Sequence, residues 1–204
     1  MTPPAPKETD FDRFRRLLQA SHPCILVQTL EESYASEFVR KVPLDQRLPL
    51  KAWKISRGVY DADFADGAAV PDTEPAVAGL FHLIQGDLDR TLVLAFDLLE
   101  HLTDARTVRH LRDLIEKLRK SNGHLVLIDT RGDLPAPIDH ETTRFEIAFP
   151  EEKELGELVR DTLSRERERL KGPARIAPAV WTSFLHNLRG LTRRQARQIV
   201  LDVI

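Results

Sequence analysis

The sequence predicts an α/β fold in which a five-stranded, mainly parallel sheet is followed by a small all-helical domain. Three apolar runs, at Cys24–Val27, Thr91–Asp97 and His124–Asp129, have the hydrophobic character of strands buried on both faces. The segments between them show helical spacing without tight hairpins, which favours right-handed crossovers in a three-layer arrangement. After Pro150 only helical patterns remain. The predicted parts are a disordered lead (1–9), an α/β domain (10–150) and a helical lid domain (151–204).

The first half of the chain alternates helical and extended patterns. Thr9 and Asp10 can cap the first helix, and Pro23 ends it before the first strand. Residues 59–75 are acidic, carry glycine and proline and have no period, which predicts a flexible loop. Asp72 or Thr73 can cap the next helix, which ends at Gly86. Its inward residues are predicted to be Val77, Leu80, Phe81 and Ile84. The other predicted elements are a helix at 11–20, a strand at 24–27, a helix at 29–42, a loop at 43–49 and a strand at 50–55.

The second half begins with the strongest strand signal of the sequence, Thr91–Asp97, and a long amphipathic helix follows from Thr103 or Asp104. Asn122 and Gly123 form a typical helix stop before the next strand. Near the end of the chain, Thr192 and Gln195 predict a capping box. The remaining predicted elements are strands at 124–129 and 144–149 and helices at 151–171, 178–188 and 192–203.

The composition is that of an ordinary globular protein, with 42% hydrophobic and 30% charged residues among 204. The net charge of −2 provides no global field that would attract nucleic acid or membranes. The single cysteine, Cys24, excludes an internal disulfide framework and fits a reducing cytoplasm. The sequence shows no signal peptide and no apolar run long enough to span a bilayer. We therefore expect a cytoplasmic protein.

A buried first strand followed by a turn and a helix is where P-loop nucleotide-binding domains hold phosphate. That cradle needs glycines that let backbone N–H groups converge, a lysine, and a Ser or Thr for magnesium. Here the turn reads Thr29-Leu30-Glu31-Glu32-Ser33, without glycine or lysine. Glu31 and Glu32 place two carboxylates where the phosphates would lie, and such like charges repel by several kcal/mol at an effective dielectric of about 20. The topology predicts a nucleotide binder and the chemistry of the turn opposes it.

The order of four segments resembles the AAA+ ATPase module. Thr91–Asp97 is similar to the Walker B strand, and Leu125–Arg131 is similar to the sensor 1 strand and the residues after it. Thr143–Glu151 is similar to the fifth strand and the turn into the lid. Leu188–Ala196 is similar to the start of the last lid helix, where sensor 2 lies. The resemblance covers about Phe11 to Ile204 and implies a five-stranded P-loop-type sheet with a helical lid.

More narrowly, Leu17–Glu32, Trp53–Gly58 and Thr107–Leu118 resemble the P-loop-less amino-terminal half of a family of cyanobacterial and plastid AAA+ ATPases. In that family a degenerate module precedes an intact catalytic one, and no segment of this chain is similar to the catalytic module. The resemblance therefore points to the degenerate half.

The sequence departs from the AAA+ pattern at the residues that hold and cleave nucleotide. No Walker A motif occurs, and Leu98 follows Asp97 where the family has a glutamate; the next acid is Glu100. Asp129 lies at the sensor 1 position and would repel a γ-phosphate, although Thr130 could serve in its place. By resemblance, arginines that read a neighbour's nucleotide remain. They are Arg144 in the arginine-finger region and Arg193, Arg194 or Arg197 in the sensor 2 region.

Two other readings of the acidic residues stay open. In one, the chain binds or hydrolyses a nucleotide at a non-standard phosphate site, with Asp97 as a magnesium ligand. In the other, Asp97, Glu100 and Asp129 converge on magnesium in a nuclease.

A basic cluster near the end of the chain consists of Arg189, Arg193, Arg194 and Arg197. It is either a solvated face or a contact surface for an acidic protein. Nucleic acid is the least favoured partner because few aromatic residues interleave with these arginines.

The preferred hypothesis is a catalytically inactive AAA+-like module that serves as an interaction or regulatory subunit. We expect it to self-assemble or to pair with an active AAA+ partner, with Arg144 and the lid arginines as candidate contacts. No cofactor and no metal are expected, and no membrane is expected as a partner. Sequence does not identify the partner or the oligomeric state.

Overall fold

The computed structural model describes residues 9–63, 67–166 and 178–203. The chain divides into two compact units, Met1–Ile147 and Ala148–Ile204. The first is an α/β unit and the second is helical. Apart from Thr9, the predicted disordered lead lies outside the described residues.

The α/β unit is built on one sheet with the strand order β3-β2-β4-β5-β1-β6. All neighbouring pairs are parallel except β2 and β3, which are antiparallel. The mainly parallel sheet predicted from the apolar runs is confirmed. The strands are β1 (Cys24–Gln28), β2 (Leu50–Lys54), β3 (Gly58–Asp61), β4 (Leu92–Phe96), β5 (His124–Asp129) and β6 (Thr142–Phe145).

The sheet has six strands, so the prediction of five was wrong. The additional strand β3 lies at the start of the segment predicted as a flexible loop, and Trp53 pairs with Val59 across the β2–β3 hairpin. The backbone N–H of Val59 also donates to the hydroxyl of Thr73 (2.8 Å), which in turn donates to the carbonyl oxygen of Val70 (2.6 Å). These tertiary hydrogen bonds hold a strand that has only four residues.

In the described part of the α/β unit, one α-helix precedes the first strand, and four α-helices and one 3₁₀ helix connect the strands. Thr9 caps the first helix, and its hydroxyl accepts a hydrogen bond from the N–H of Asp12 (3.1 Å). The second helix continues through Pro43, where we predicted a loop. It ends at Gln46, and the residue after it, Arg47, has the left-handed φ of 54°. Pro43 has no N–H to donate within the helix, yet the helical backbone continues for three more residues. The helices are α1 (Asp10–Gln19), α2 (Glu32–Gln46), α3 (Ala76–Gln85), the 3₁₀ helix (Leu98–His101), α4 (Ala105–Lys120) and α5 (Ala136–Asp139).

The two faces of the sheet each carry a buried apolar cluster. One cluster includes residues of α3 and α4, and the other includes residues of α1 and α2. One predicted orientation, that of Phe81, and one predicted strand range, 144–149, were wrong. Phe81 of α3 points outward with 51% exposure, and β6 ends at Phe145, which leaves Phe149 62% exposed. A helix of ten residues can bury only one stripe, and in α3 that stripe includes Leu80 and Leu83.

The helical unit contains α6 (Glu152–Glu166), α7 (Pro178–Asn187) and α8 (Arg193–Asp202). The capping box predicted at Thr192 and Gln195 is present. The predicted end of the first helix of this unit, Lys171, lies outside the described residues. The buried core of the helical unit consists of Leu155, Val159, Leu185, Leu188, Ala196 and Val200. Within the described residues, no helix has both the length and the apolar character that crossing a bilayer requires.

The burial of His124, the first residue of β5, predicts that the free energy of unfolding depends on pH. Its side chain is buried (7% exposed), and Nδ1 lies 2.8 Å from the carbonyl oxygen of His22. Burial lowers the pKa of His124 below the ordinary value of 6.5, against the opposing effect of the hydrogen bond to that carbonyl. The unfolded chain therefore takes up the proton first as the pH falls below about 6.5, and stability is lost from there downward.

We expect the free energy of unfolding to fall by up to about 1.4 kcal/mol per pH unit below this point from His124 alone. Urea unfolding at pH 7.5, 6.5 and 5.5 measures this fall in the free energy of unfolding. In His124→Asn, whose amide can still donate to the carbonyl oxygen of His22, the extra loss on acidification should disappear. The exposed His82 provides the control, His82→Asn, which should keep the wild-type pH profile. Equal profiles for His124→Asn and wild type would contradict the assignment.

Candidate functional site

The carboxyl ends of β1, β2, β4 and β5 meet at one edge of the sheet, where parallel α/β proteins usually bind ligands. The connection from β1 to α2 has three residues, Thr29 to Glu31, because β1 ends at Gln28 and α2 begins at Glu32. The N–H of Thr29 donates to the carbonyl oxygen of Asp129 (2.8 Å), and the N–H of Glu31 donates to the hydroxyl of Thr29 (2.9 Å). A phosphate loop needs a longer, glycine-rich connection at this point.

The start of α2 is occupied by an ion pair of the chain itself. The Nζ atom of Lys54, the last residue of β2, lies 2.7 Å from a carboxylate oxygen of Glu32. The same Nζ lies 3.9 Å from the ring centroid of Phe96 at the end of β4. The positive end of a helix attracts anions, and here Glu32 provides the negative charge in its first turn.

Asp97 follows β4 at the position that resembles Walker B. Its backbone has the left-handed φ of 51°, and its N–H donates to the carbonyl oxygen of Ile128 (3.1 Å). Burial raises the pKa of the Asp97 carboxyl, and nearby carboxylates, including Asp129 and Glu32, raise it further against the opposing effect of Lys54. This carboxylate therefore lies in an excess of negative charge.

Leu98, which follows Asp97, is 1% exposed and belongs to the apolar core beneath the 3₁₀ helix. A hydrolytic AAA+ site needs a carboxylate at this position that can orient water. The core position of Leu98 shows that its side chain is used for packing. Glu100, the next acid, forms an ion pair with Arg131 (3.1 Å).

Asp129 is the buried carboxylate of this edge, with 2% exposure at the end of β5. One oxygen accepts a hydrogen bond from the N–H of Leu99 (2.9 Å), and the other accepts one from the N–H of Arg131 (2.9 Å). The backbone carbonyl of Thr130 accepts a hydrogen bond from Nε2 of Gln28 (3.3 Å). Asp129 thus holds the backbone of two neighbouring connections together.

The structure places the predicted residues Glu31, Glu32, Asp97, Glu100, Asp129 and Thr130 at the carboxyl ends of β1, β4 and β5. It does not gather them into a metal centre, because the described residues contain no group of three His, Cys, Asp or Glu that could hold an ion. Each oxygen of Asp129 accepts a backbone N–H bond, so this carboxylate fixes the neighbouring backbone. Sequence reasoning missed Lys54 and Arg131, and their only signal was a basic residue at or just after a strand end.

The predicted contact arginines differ in what they contact. The guanidinium of Arg144 donates to the carbonyl oxygen of Gly132 (2.9 Å) and to Asp139 (2.7 Å), and the side chain is 49% exposed. Arg189 is exposed and forms an ion pair with Glu152. Arg194 and Arg197 are exposed on α8.

Arg193 is buried within the helical unit, with 9% exposure. Its Nε and Nη2 atoms donate to the two carboxylate oxygens of Glu154 (2.5 and 3.0 Å), and Nη1 donates to the carbonyl oxygen of Ala148 (3.0 Å). These bonds join α8, α6 and the first residue of the unit. The guanidinium of Arg193 is therefore used inside the helical unit.

A protein-family model described as SpoVK-like AAA ATPase, N-terminal domain, matches residues 11–147. The chain belongs to this family. The resemblance to an AAA+ module is thereby confirmed, and the match covers the α/β unit of this SpoVK-like domain almost completely. No protein with a curated description matches the chain.

Solved structures agree on the fold of the SpoVK-like chain. The FIGL-1 AAA domain in complex with ADP aligns with a TM-score of 0.59 and 16% identity over 94% of this chain and 64% of its own. C. elegans PCH-2 aligns with a TM-score of 0.55 and 10% identity, and the alignment covers 95% of this chain and 60% of the PCH-2 chain. A DNA replication initiation factor aligns with a TM-score of 0.57 and 10% identity, and the alignment covers 97% of this chain and 62% of that protein. At these identities the likeness shows the AAA+ fold alone, and this chain spans less than two thirds of each of the three solved chains.

Proposed function

We propose that this chain is a catalytically inactive AAA+-like module that acts through protein contacts, by self-association or by pairing with an active AAA+ ATPase. The three-residue connection between β1 and α2 carries the proposal. Such a connection provides neither the length nor the glycines with which backbone N–H groups surround a phosphate. Its middle residue, Leu30, is 79% exposed and offers no polar group beyond its backbone.

Electrostatics support the same proposal. A triphosphate at this edge would meet the carboxylate of Asp97, whose pKa is raised by burial and by the carboxylates of Asp129, Glu32 and Glu100. Each further negative charge at about 4 Å costs on the order of 4 kcal/mol at an effective dielectric of 20. Lys54, the cation that lowers the pKa of Asp97, already forms an ion pair with Glu32.

Isothermal titration with ATP and magnesium tests the absence of nucleotide binding. We expect no heat that corresponds to a dissociation constant below about 1 mM, which is a binding free energy of about −4 kcal/mol. An intact AAA+ ATPase in the same buffer is the positive control. Micromolar affinity, or ATP turnover that disappears in Asp97→Ala, would overturn the proposal and favour the alternative in which Asp97 is a magnesium ligand at a non-standard phosphate site.

Mass photometry tests the contact role. The chain is measured alone and mixed with candidate AAA+ proteins, and we expect at least one mixture to form a complex. A monomer in every mixture would count against an interaction subunit. The cytoplasmic location that we propose rests on the sequence, which has a single cysteine. Cys24 is 0% exposed and burial raises the pKa of its thiol to about 12, so this thiol is protected from reaction.

A further inference from the structure

The chain passes from the α/β unit to the helical unit between Ile147 and Ala148. Each unit has a buried apolar core of its own, and units with separate cores commonly move about the segment that connects them. This segment lies between the end of β6 at Phe145 and the start of α6 at Glu152. Which of its backbone groups each unit holds decides where the segment can turn.

The α/β unit holds the first part of the segment through Arg13 of α1. One guanidinium nitrogen of Arg13 donates to the carbonyl oxygen of Glu146 (3.1 Å), and another donates to the carboxylate of Asp10 (3.0 Å). The guanidinium carbon also lies 4.9 Å from the ring centroid of Phe145. The next side chain, that of Ile147, packs against the apolar cluster on the α1 and α2 side of the sheet. The α/β unit therefore fixes the backbone as far as Ile147.

The helical unit holds the second part through Arg193 of α8. Its Nη1 donates to the carbonyl oxygen of Ala148 (3.0 Å), and both oxygens of Glu154 accept hydrogen bonds from the same guanidinium. Pro150, two residues after Ala148, is buried, and its ring fixes the backbone angle φ. The helical unit therefore fixes the backbone from the carbonyl group of Ala148 onward.

The two held carbonyl groups, those of Glu146 and Ala148, leave little freedom between them. Because peptide bonds are planar, each residue contributes only the angles φ and ψ. The packed side chain of Ile147 restrains this residue further. The angles that remain are those beside the peptide bond between Ile147 and Ala148. Ala148 is exposed, and its small side chain opposes rotation less than a larger one would.

We propose that the peptide bond between Ile147 and Ala148 is the hinge of the chain, and that Arg13 and Arg193 are the two clamps that confine turning to it. This inference goes beyond the proposed function because it does not depend on what the module binds. Both arginines are positioning residues, since they act on the backbone of the segment. Loss of a clamp lengthens the part that turns, because the carbonyl group that the clamp holds is released.

Limited proteolysis of the full chain with glutamyl endopeptidase tests the first clamp. In Arg13→Ala we expect cleavage after Glu146 to become at least about fivefold faster, because the rate follows the population of the opened segment. Arg13→Lys should also accelerate it, since an ammonium lacks the fork that donates in two directions. Arg16→Ala, an exposed arginine on the same helix, should keep the wild-type rate. Cleavage after Glu157, within α6, should not change and so reports any global unfolding.

Distances between spin labels test the confinement of the hinge. Labels are placed at the exposed positions of His82→Cys in α3 and Val180→Cys in α7, and Cys24 is 0% exposed and should not be labelled. The distribution of distances should broaden in Arg13→Ala and in Arg193→Gln, and it should keep the wild-type width in Arg16→Ala and in the exposed Arg197→Ala.

The Arg13 variants keep the proposal testable if Arg193→Gln unfolds the helical unit, which circular dichroism would show. Equal cleavage after Glu146 in Arg13→Ala and Arg16→Ala would overturn the clamp. Faster cleavage after Glu146 and Glu157 alike would overturn it too, because Arg13 would then stabilise the fold as a whole. An unchanged distance distribution in Arg13→Ala would overturn the confined hinge. Nucleotide binding in the titration above would overturn the proposed function and leave the hinge unaffected, so the two failures are distinguishable.

Discussion

Replacing Phe14 by alanine is expected to lower the free energy of unfolding of the α/β unit by about 3–5 kcal/mol. Phe14 is 0% exposed in the middle of α1. Its ring makes edge-to-face contacts with Phe38 of α2 (5.6 Å between centroids) and with Phe145 of β6 (5.5 Å). Truncation therefore removes the side chain that joins two helices to the edge strand and leaves a cavity that neighbouring rings cannot fill without moving.

Urea unfolding followed by circular dichroism measures this loss. Phe14→Leu, which keeps most of the volume, should cost less than half as much as Phe14→Ala. The matched control is Phe81→Ala, because Phe81 belongs to the same unit but is 51% exposed on α3. Its expected loss is under about 1 kcal/mol, since the ring contacts His110 at the surface and leaves no cavity. If the two alanine variants lost the same stability, the buried aromatic cluster would not organise this unit.

The parallel part of the sheet could be predicted because its strands carry the information in their own residues. Every residue of β4, Leu92 to Phe96, is buried, and a strand covered on both faces must be apolar throughout. The strand β3 could not be predicted in this way. Its four residues pair with β2 on one side, and the N–H of Val59 depends on the hydroxyl of Thr73, fourteen residues away. Such a strand is stabilised by contacts that no local pattern records.

The positions of the candidate site residues followed from the sequence, but their pairing did not. Asp97 and Asp129 come directly after or at the end of buried strands, so their place at one sheet edge was predictable. That Lys54 contacts Glu32 depends on the register of β2 beside β4, which the sequence does not determine. The burial of Arg193 likewise depends on how α8 packs on α6, since the sequence shows only a basic cluster.

Replacing Asp129 by alanine is expected to lower the free energy of unfolding by about 3 kcal/mol, because two backbone donors lose a charged acceptor. The N–H groups of Leu99 and Arg131 both donate to this buried carboxylate at 2.9 Å. Alanine supplies no acceptor, and buried N–H groups without partners retain their full desolvation cost. The measurement is urea unfolding, together with amide hydrogen exchange, which should become at least about tenfold faster at Leu99 and Arg131.

Asp97→Asn is the matched control, since Asp97 lies at the same sheet edge but is exposed and accepts no hydrogen bond from the described residues. Removing its charge relieves repulsion from neighbouring carboxylates, so its stability should be equal to or slightly above that of the wild type. A sensor 1 residue that served nucleotide chemistry would show the reverse order, with little stability lost at position 129. If Asp129→Ala unfolds no more easily than Asp97→Asn, the carboxylate of Asp129 is not the structural clamp between β5 and the 3₁₀ helix. The acid at this position would then again be available for a ligand.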